Sequence, residues 1–167
     1  YTLSLHDALP IYAILDPGTR WFPADEALRD TSMEKLMPPL VAMLRKKVKE
    51  FRDSGYVGAT DTSRSLLNWW FRTSHLLARP DGAMVEFEYY FAQREALETI
   101  IYLCDVAGVK DKHDMMRFDG SGMVSGGMFD ETWRRFVVKT ATGSGKTKVL
   151  SLALAWSFFH KLYEPES

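Results

Sequence analysis

Only one cysteine, Cys104, stands among the 167 residues. That excludes a disulfide framework and any zinc site built on cysteines, and it fits a reducing compartment. Net charge is almost absent: 21 Lys and Arg are balanced by 22 Asp and Glu, a net charge of −1. No global basic field advertises nucleic acid, although a local patch can exist within such a balance. Long apolar runs are missing too. The longest, Val149–Phe159, has 11 residues, whereas a membrane span needs roughly 20 and a run of about 10–14 reads as a buried core helix. The opening stretch Tyr1–Leu15 lacks a basic n-region and contains His6, Asp7 and Pro10, so it is not a targeting segment. There are no internal repeats. The four histidines, His6, His75, His113 and His160, are scattered without H-E-x-x-H or paired spacing, so no protein-ligated metal site is expected.

What is present is globular. Hydrophobic residues make up 46% and charged residues 26%, which excludes disordered and collagen-like classes. A soluble, cytoplasmic chain is the expectation. Tyr1 at the start, and Ser167 directly after a strongly apolar segment, read as the ends of a fragment. Residues 1–11 contain the string Ser4-Leu5-His6-Asp7-Ala8-Leu9-Pro10-Ile11, which resembles translated sequencing-adapter read-through, and they are set aside from the fold.

Residues 12–86 are expected to be helical. The stretch Trp21–Asp30 carries a short helix after Pro23. Pro38 and Pro39 open a long one, because proline is tolerated in a first helical turn. Its apolar positions Leu40, Val41, Leu44, Val48 and Phe51 recur every three or four residues and share a face, with Arg45, Lys46, Lys47, Lys49 and Arg52 on the remaining, solvated surface. Gly55 and Gly58 end it. A second helix starts after a cap at Thr60–Thr62 and carries Leu66, Leu67, Trp69, Trp70 and Phe71, aromatics expected in the core rather than stacked on bases. Pro80-Asp81-Gly82 is a turn signal. A third helix runs from about Phe91 to Val106 and stops at Gly108, burying Ala92, Ala96, Leu97, Ile100, Ile101 and Cys104. Asp111 and Asp114 read as surface charge. The glycine-rich stretch Asp119–Gly127 reads as a connector, since its spacing does not match G-x-G-x-x-G.

The most informative stretch follows. Arg134–Thr140 has the β-branched and aromatic character of a short strand. It runs into Ala141-Thr142-Gly143-Ser144-Gly145-Lys146-Thr147 and then an apolar helix from Val149 to about Leu162. Strand, glycine-rich loop ending in Gly-Lys-Thr, and helix is the order of a phosphate-binding loop. Gly143 and Gly145 permit the backbone N–H groups to turn inward around an anion. The helix N-terminus adds unsatisfied N–H donors. Lys146 can reach β- and γ-phosphates as the catalytic cation, and the Thr147 hydroxyl can ligate the bridging Mg²⁺. Thr140 occupies the first loop position, where the general pattern has glycine.

The block WRRFVVKTATGSGKTKVLSLALAWSFFHKLYEPES, from Trp133 to Ser167, resembles the first helicase motif of the restriction subunit of type III restriction–modification enzymes, and more broadly a DEAD/DEAH-box-like superfamily 2 helicase. The segments YAILDPGTRWFPADEALRD, LLNWWF and YYFAQREALETIIYL are similar to the front of large bacterial proteins of that kind, so the resemblance covers about residues 12–167. It implies an α/β fold: a helical N-terminal region leading, over residues 87–167, into the first strand–loop–helix unit of a truncated RecA-like ATPase domain. It implies ATP and Mg²⁺ as cofactors, with phosphates held by Thr142, Gly143, Ser144, Gly145, Lys146 and Thr147. It also gives Gln93 the task of pairing with the adenine edge, while Phe91 or Tyr90 stacks on the base. Double-stranded DNA and a methyltransferase subunit are the implied partners, and an ATP-dependent helicase or translocase with endonuclease function is the implied activity.

The acidic second motif and the arginine finger that such an ATPase requires do not occur before Ser167. The last helix is apolar nearly all round and is expected to be buried on more than one side. Only one candidate strand is present to cover it, so the chain alone is expected to aggregate and not to hydrolyse ATP. Two other classes fit the loop: another nucleotide-binding enzyme such as a nucleotide kinase, and a non-enzymatic helical interaction module that merely retains a nucleotide loop.

Overall fold

The computed structural model describes residues 40–119, 122, 137–138, 140 and 143–165. Residues 1–11, the helix expected over Trp21–Asp30, Pro38 and Pro39, most of the Asp119–Gly127 connector, Trp133–Phe136, Lys139, Ala141 and Thr142 lie outside the described residues. The chain divides into two units: Tyr1–Glu50 with Val109–Arg134, and Phe51–Gly108 with Arg135–Ser167.

In chain order the described elements are α1 (Val41–Asp53), α2 (Asp61–Arg72), β1 (His75–Ala78), β2 (Met84–Phe87), α3 (Phe91–Ile101), α4 (Lys112–Met116) and α5 (Lys146–Tyr163); a π-helical turn, Tyr102–Val106, prolongs α3. The 3–4 spacing of α1 buries Val48 and Phe51. The helix stops where Gly55 adopts φ +79°. The Gly55 and Tyr56 N–H groups then fold back on the Arg52 and Phe51 carbonyls at 3.2 and 2.9 Å, satisfying acceptors that a helix end leaves open. The expected cap of α2 is Thr60, whose hydroxyl accepts from Ser63 N. Trp70 is buried, but Trp69 is 58% exposed.

The turn expected at Pro80-Asp81-Gly82 joins two strands that the sequence pattern did not reveal. β1 and β2 pair antiparallel in the register His75↔Phe87, Leu76↔Glu86, Leu77↔Val85, Ala78↔Met84. Gly82, at φ +83°, donates to Arg79 O at 2.9 Å, and Asp81 Oδ1 accepts from Ala83 N at 2.9 Å.

In the unit Phe51–Gly108 with Arg135–Ser167, α2, α3 and α5 pack on one another. Phe51, Tyr56, Leu67, Trp70, Leu97, Ile101 and Leu152 form their core, with Ala153 and Trp156 against it. Each fully buried leucine or isoleucine contributes about 1.5–3 kcal/mol by leaving water. α3 does not bury the purely apolar face that was expected: Ala92 is exposed, and Gln93 and Glu98 are buried beside Leu97 and Ile101.

The RecA-like α/β expectation is corrected here. The sheet among the described residues is the two-stranded antiparallel hairpin, not a parallel sheet entered by a strand before the loop. Of the expected strand Arg134–Thr140, the described residues Val137, Val138 and Thr140 are not in a strand, and Val137 is 69% exposed. The architecture is mostly helical. β-Branched composition marked Arg134–Thr140 as a strand, but a strand forms only where a neighbouring edge accepts its backbone groups.

Candidate functional site

The candidate loop enters α5 through Gly143 and Gly145, both at positive φ (+82° and +76°). Gly145 is the N-cap of α5 in the left-handed conformation. The positive φ favours glycine, and a Cβ at Gly145 would stand 2.2 Å from the Gln93 amide nitrogen, so the Gln93 side chain would have to move aside for any other residue. Gln93 is buried at the start of α3. Its amide nitrogen donates to Ser144 O at 2.9 Å, with Gly145 O at 3.5 Å, and its amide oxygen accepts from Tyr90 N at 3.1 Å. The sequence nominated Gln93 and the loop separately, and the structure brings them together. Both ends of the carboxamide are engaged by the chain's own backbone, so Gln93 fastens the loop to α3.

The remaining nominated residues are placed as follows. Lys146 and Thr147 are exposed on the first turn of α5. The Thr147 carbonyl accepts from Ser151 Oγ at 2.8 Å. Phe91 is half-buried, with the Arg52 guanidinium 5.0 Å from its ring centre. Tyr90 is 45% exposed. Thr142 lies outside the described residues.

Behind Gln93 on α3 sits a buried ionic cluster. Glu98 is fully buried. One carboxylate oxygen accepts from Arg52 Nε at 2.7 Å, and the other from Tyr56 Oη and Arg94 Nε, both at 2.7 Å. Arg94 Nη2 donates to Tyr56 Oη at 3.0 Å. The Arg72 guanidinium lies over the Tyr56 ring and donates to Arg52 O at 2.7 Å. Burial, and next the Glu98 charge, push the Tyr56 hydroxyl up to about 12. The cluster is structural chemistry: every acceptor of a buried carboxylate is filled. Arg52, expected on a solvated basic face, belongs to it. The Arg94–Glu98 spacing of four residues signalled one of these pairs, whereas Arg52 and Tyr56 arrive from distant sequence.

Three polar clasps hold α5 against the start of α2. His160 Nε2 lies 2.9 Å from Asp105 Oδ1, while Asp105 Oδ2 accepts from Thr60 N and Oγ1 at 3.2 and 3.0 Å. Glu164 accepts from Thr62 N and Oγ1 at 3.2 and 2.9 Å. Trp156 Nε1 donates to Ser63 Oγ at 2.7 Å. With Val149 and Leu152 buried as well, α5 is fixed by one side. Its other side is open: Leu150, Leu154, Phe158 and Leu162 are 70, 70, 62 and 55% exposed.

Asp111, expected as plain surface charge, is the N-cap of α4 and accepts from His113 N and Asp114 N at 2.8 and 3.1 Å. Asp114 accepts from Lys110 N at 2.7 Å, and this hydrogen bond holds its carboxyl below the ordinary range.

Among the described residues no three His, Cys, Asp or Glu side chains are grouped to hold a metal ion, and no helix is long and apolar enough to cross a membrane. No family model, curated protein or solved structure matches the chain. The activity expected from the resemblance, an ATP-dependent DNA helicase or translocase with restriction function, is therefore corrected together with its fold. It required a parallel-sheet ATPase core, and the described residues form a helical unit with one small antiparallel hairpin.

Proposed function

We propose that this chain is a non-enzymatic helical interaction module that retains a phosphate-type loop at the start of one helix. The observation that carries this reading is the outward face of α5. Scattered exposed leucines are ordinary, but four large apolar side chains at steps of four residues make a continuous stripe, and such stripes mark association surfaces. The face is rigid because α5 is anchored through its opposite side, and a rigid apolar helix face offers binding area at low entropic cost.

The loop is the module's second component. Its residue types suit ATP with Mg²⁺: Gly143 and Gly145 for the turn, Lys146 for phosphate oxygens, Thr147 for the cation. Binding there without turnover belongs to the same proposal. The test is ATP hydrolysis by the purified chain with and without double-stranded DNA, beside Lys146→Ala, with MgATP binding followed by calorimetry. The expected result is no turnover that depends on Lys146, whether or not MgATP binds. DNA-stimulated hydrolysis that disappears in Lys146→Ala overturns the proposal.

A further inference from the structure

How Gln93 holds the loop bears on what the loop would bind, and the inference rests on the loop component of the reading above. In a trans peptide the C=O and the next N–H point in opposite directions, and no cis peptide occurs among the described residues. With Ser144 O drawn to the Gln93 amide at 2.9 Å, the Gly145 N–H is turned away from α3. Gly145 O accepts from Lys148 N at 2.9 Å, within the first turn of α5, so the Lys146 N–H points out of the helix start. Two successive N–H groups are thereby aimed outward, as an anion requires. The charges agree. α5 has no acidic residue in its first turn and no side-chain cap, and Lys146 and Lys148 stand there instead. Acids, not lysines, suit the positive end of a helix dipole, so this arrangement opposes the helix unless an anion lies against it. Lys148 is directed to Phe87, its ammonium 5.4 Å from the ring centre, and Lys146 is exposed.

We propose that Gln93 is a positioning residue for a polyphosphate site at Gly143–Lys146, and that this site takes the phosphate chain of a nucleoside triphosphate, or inorganic triphosphate, without reading a base. A carboxamide reads adenine by donating and accepting at once. Both functions of this one are engaged, on Ser144 O and Tyr90 N, and Gln93 is 5% exposed. Turning it to a base would release the loop that the phosphates need. Tyr90, 45% exposed, offers a ring face, and stacking on a ring accepts every base. The adenine contact that the resemblance implied gives way to a contact with the loop itself.

The test uses the full chain and calorimetry with MgATP, MgGTP, MgCTP and inorganic triphosphate. The three nucleotides are expected to bind within about threefold of one another, with inorganic triphosphate competing for the same site. Lys146→Ala is expected to weaken all four at least about tenfold. Gln93→Met keeps the length and loses the amide, and is expected to weaken all four alike, by about tenfold. Gln93→Glu can donate to Ser144 O only when protonated, so its binding is expected to be weak at about pH 8 and to recover relative to wild type towards about pH 5. In amide NMR spectra of wild type, inorganic triphosphate is expected to shift Gly145 and Lys146 and to leave Leu97 and Ile101 in place. ATP binding at least about tenfold more tightly than GTP and CTP overturns the base-blind assignment. Binding unaffected in both Gln93 variants overturns the positioning role. Binding of none of the four, with no amide shift, overturns the site and leaves the interaction module standing. DNA-stimulated ATP hydrolysis lost in Lys146→Ala overturns the module instead.

Discussion

Glu98 shows how much of this chain's stability is concentrated in single side chains. A buried carboxylate survives only with its acceptors filled, and Arg52, Arg94 and Tyr56 fill them. Glu98→Ala leaves two guanidinium groups without their counter-charge, and is expected to cost about 3–5 kcal/mol in chemical denaturation. Tyr56 responds to pH. Its hydroxyl ionises at about 12 when folded, against 10.0 ordinarily. The folded state thus favours the protonated phenol, and the associated stability is complete below pH 10. It is lost as pH rises from 10 towards 12, about 2–3 kcal/mol in all. Comparing unfolding midpoints across that window, wild type should show this extra loss and Tyr56→Phe should lack it; parallel curves for the two proteins would refute the assignment. Arg94 and Glu98, four apart in one helix, reveal themselves by spacing. Arg52 does not, because a lysine- and arginine-rich helix face gives no sign of which member turns inward.

Among the elements, the loop–α3 junction makes the sharpest claim. Gly145 is favoured by its positive φ, and a side chain there would also have to displace the Gln93 amide from its hydrogen bond to Ser144 O. Gly145→Ala is expected to cost more than the roughly 1 kcal/mol of an ordinary left-handed Gly→Ala change. Trimming Gln93 to Ala should relieve the steric part, so a double-mutant cycle should show coupling of at least about 0.5 kcal/mol. Strict additivity would mean that the two do not touch. The start of α2 and the stops of α1 and α3 could be read directly from the sequence, because Thr60, Gly55 and Gly108 act through their immediate neighbours, whereas the Asp111 cap of α4 was not. The hairpin could not. β1, His-Leu-Leu-Ala, shows no alternation, and Leu76 and Leu77 are both exposed; β2 alternates, with Val85 and Phe87 half-buried, but over only four residues, too short a run to read as a strand. The apolar helix after the loop was correctly located, but its expected burial on several sides was not realised. Periodicity identifies a face that can be buried; it does not supply the partner.

For the molecule as a whole, the residue-level reading of Gly143–Thr147 joined a glycine turn to a helix start and nominated Gln93 separately, and it is the structure that places the Gln93 amide on the Ser144 carbonyl. The inference from that loop to a parallel-sheet ATPase failed because a loop of a few residues is a local device, whereas a sheet needs several strands that pair at long range. What the helical unit does present is α5, clasped on one side through Ser63, Thr62 and Asp105 and open on the other. The most direct test is thiol accessibility on that helix. Leu154→Cys and Leu152→Cys are labelled with a soluble maleimide and read peptide by peptide, with Cys104 resolved separately. The expected result is labelling at residue 154 near the rate of a free thiol, and at residue 152 slower by an order of magnitude or more. Equally slow labelling at both positions would mean that α5 is covered on both faces, as in a parallel-sheet core, and would contradict the account.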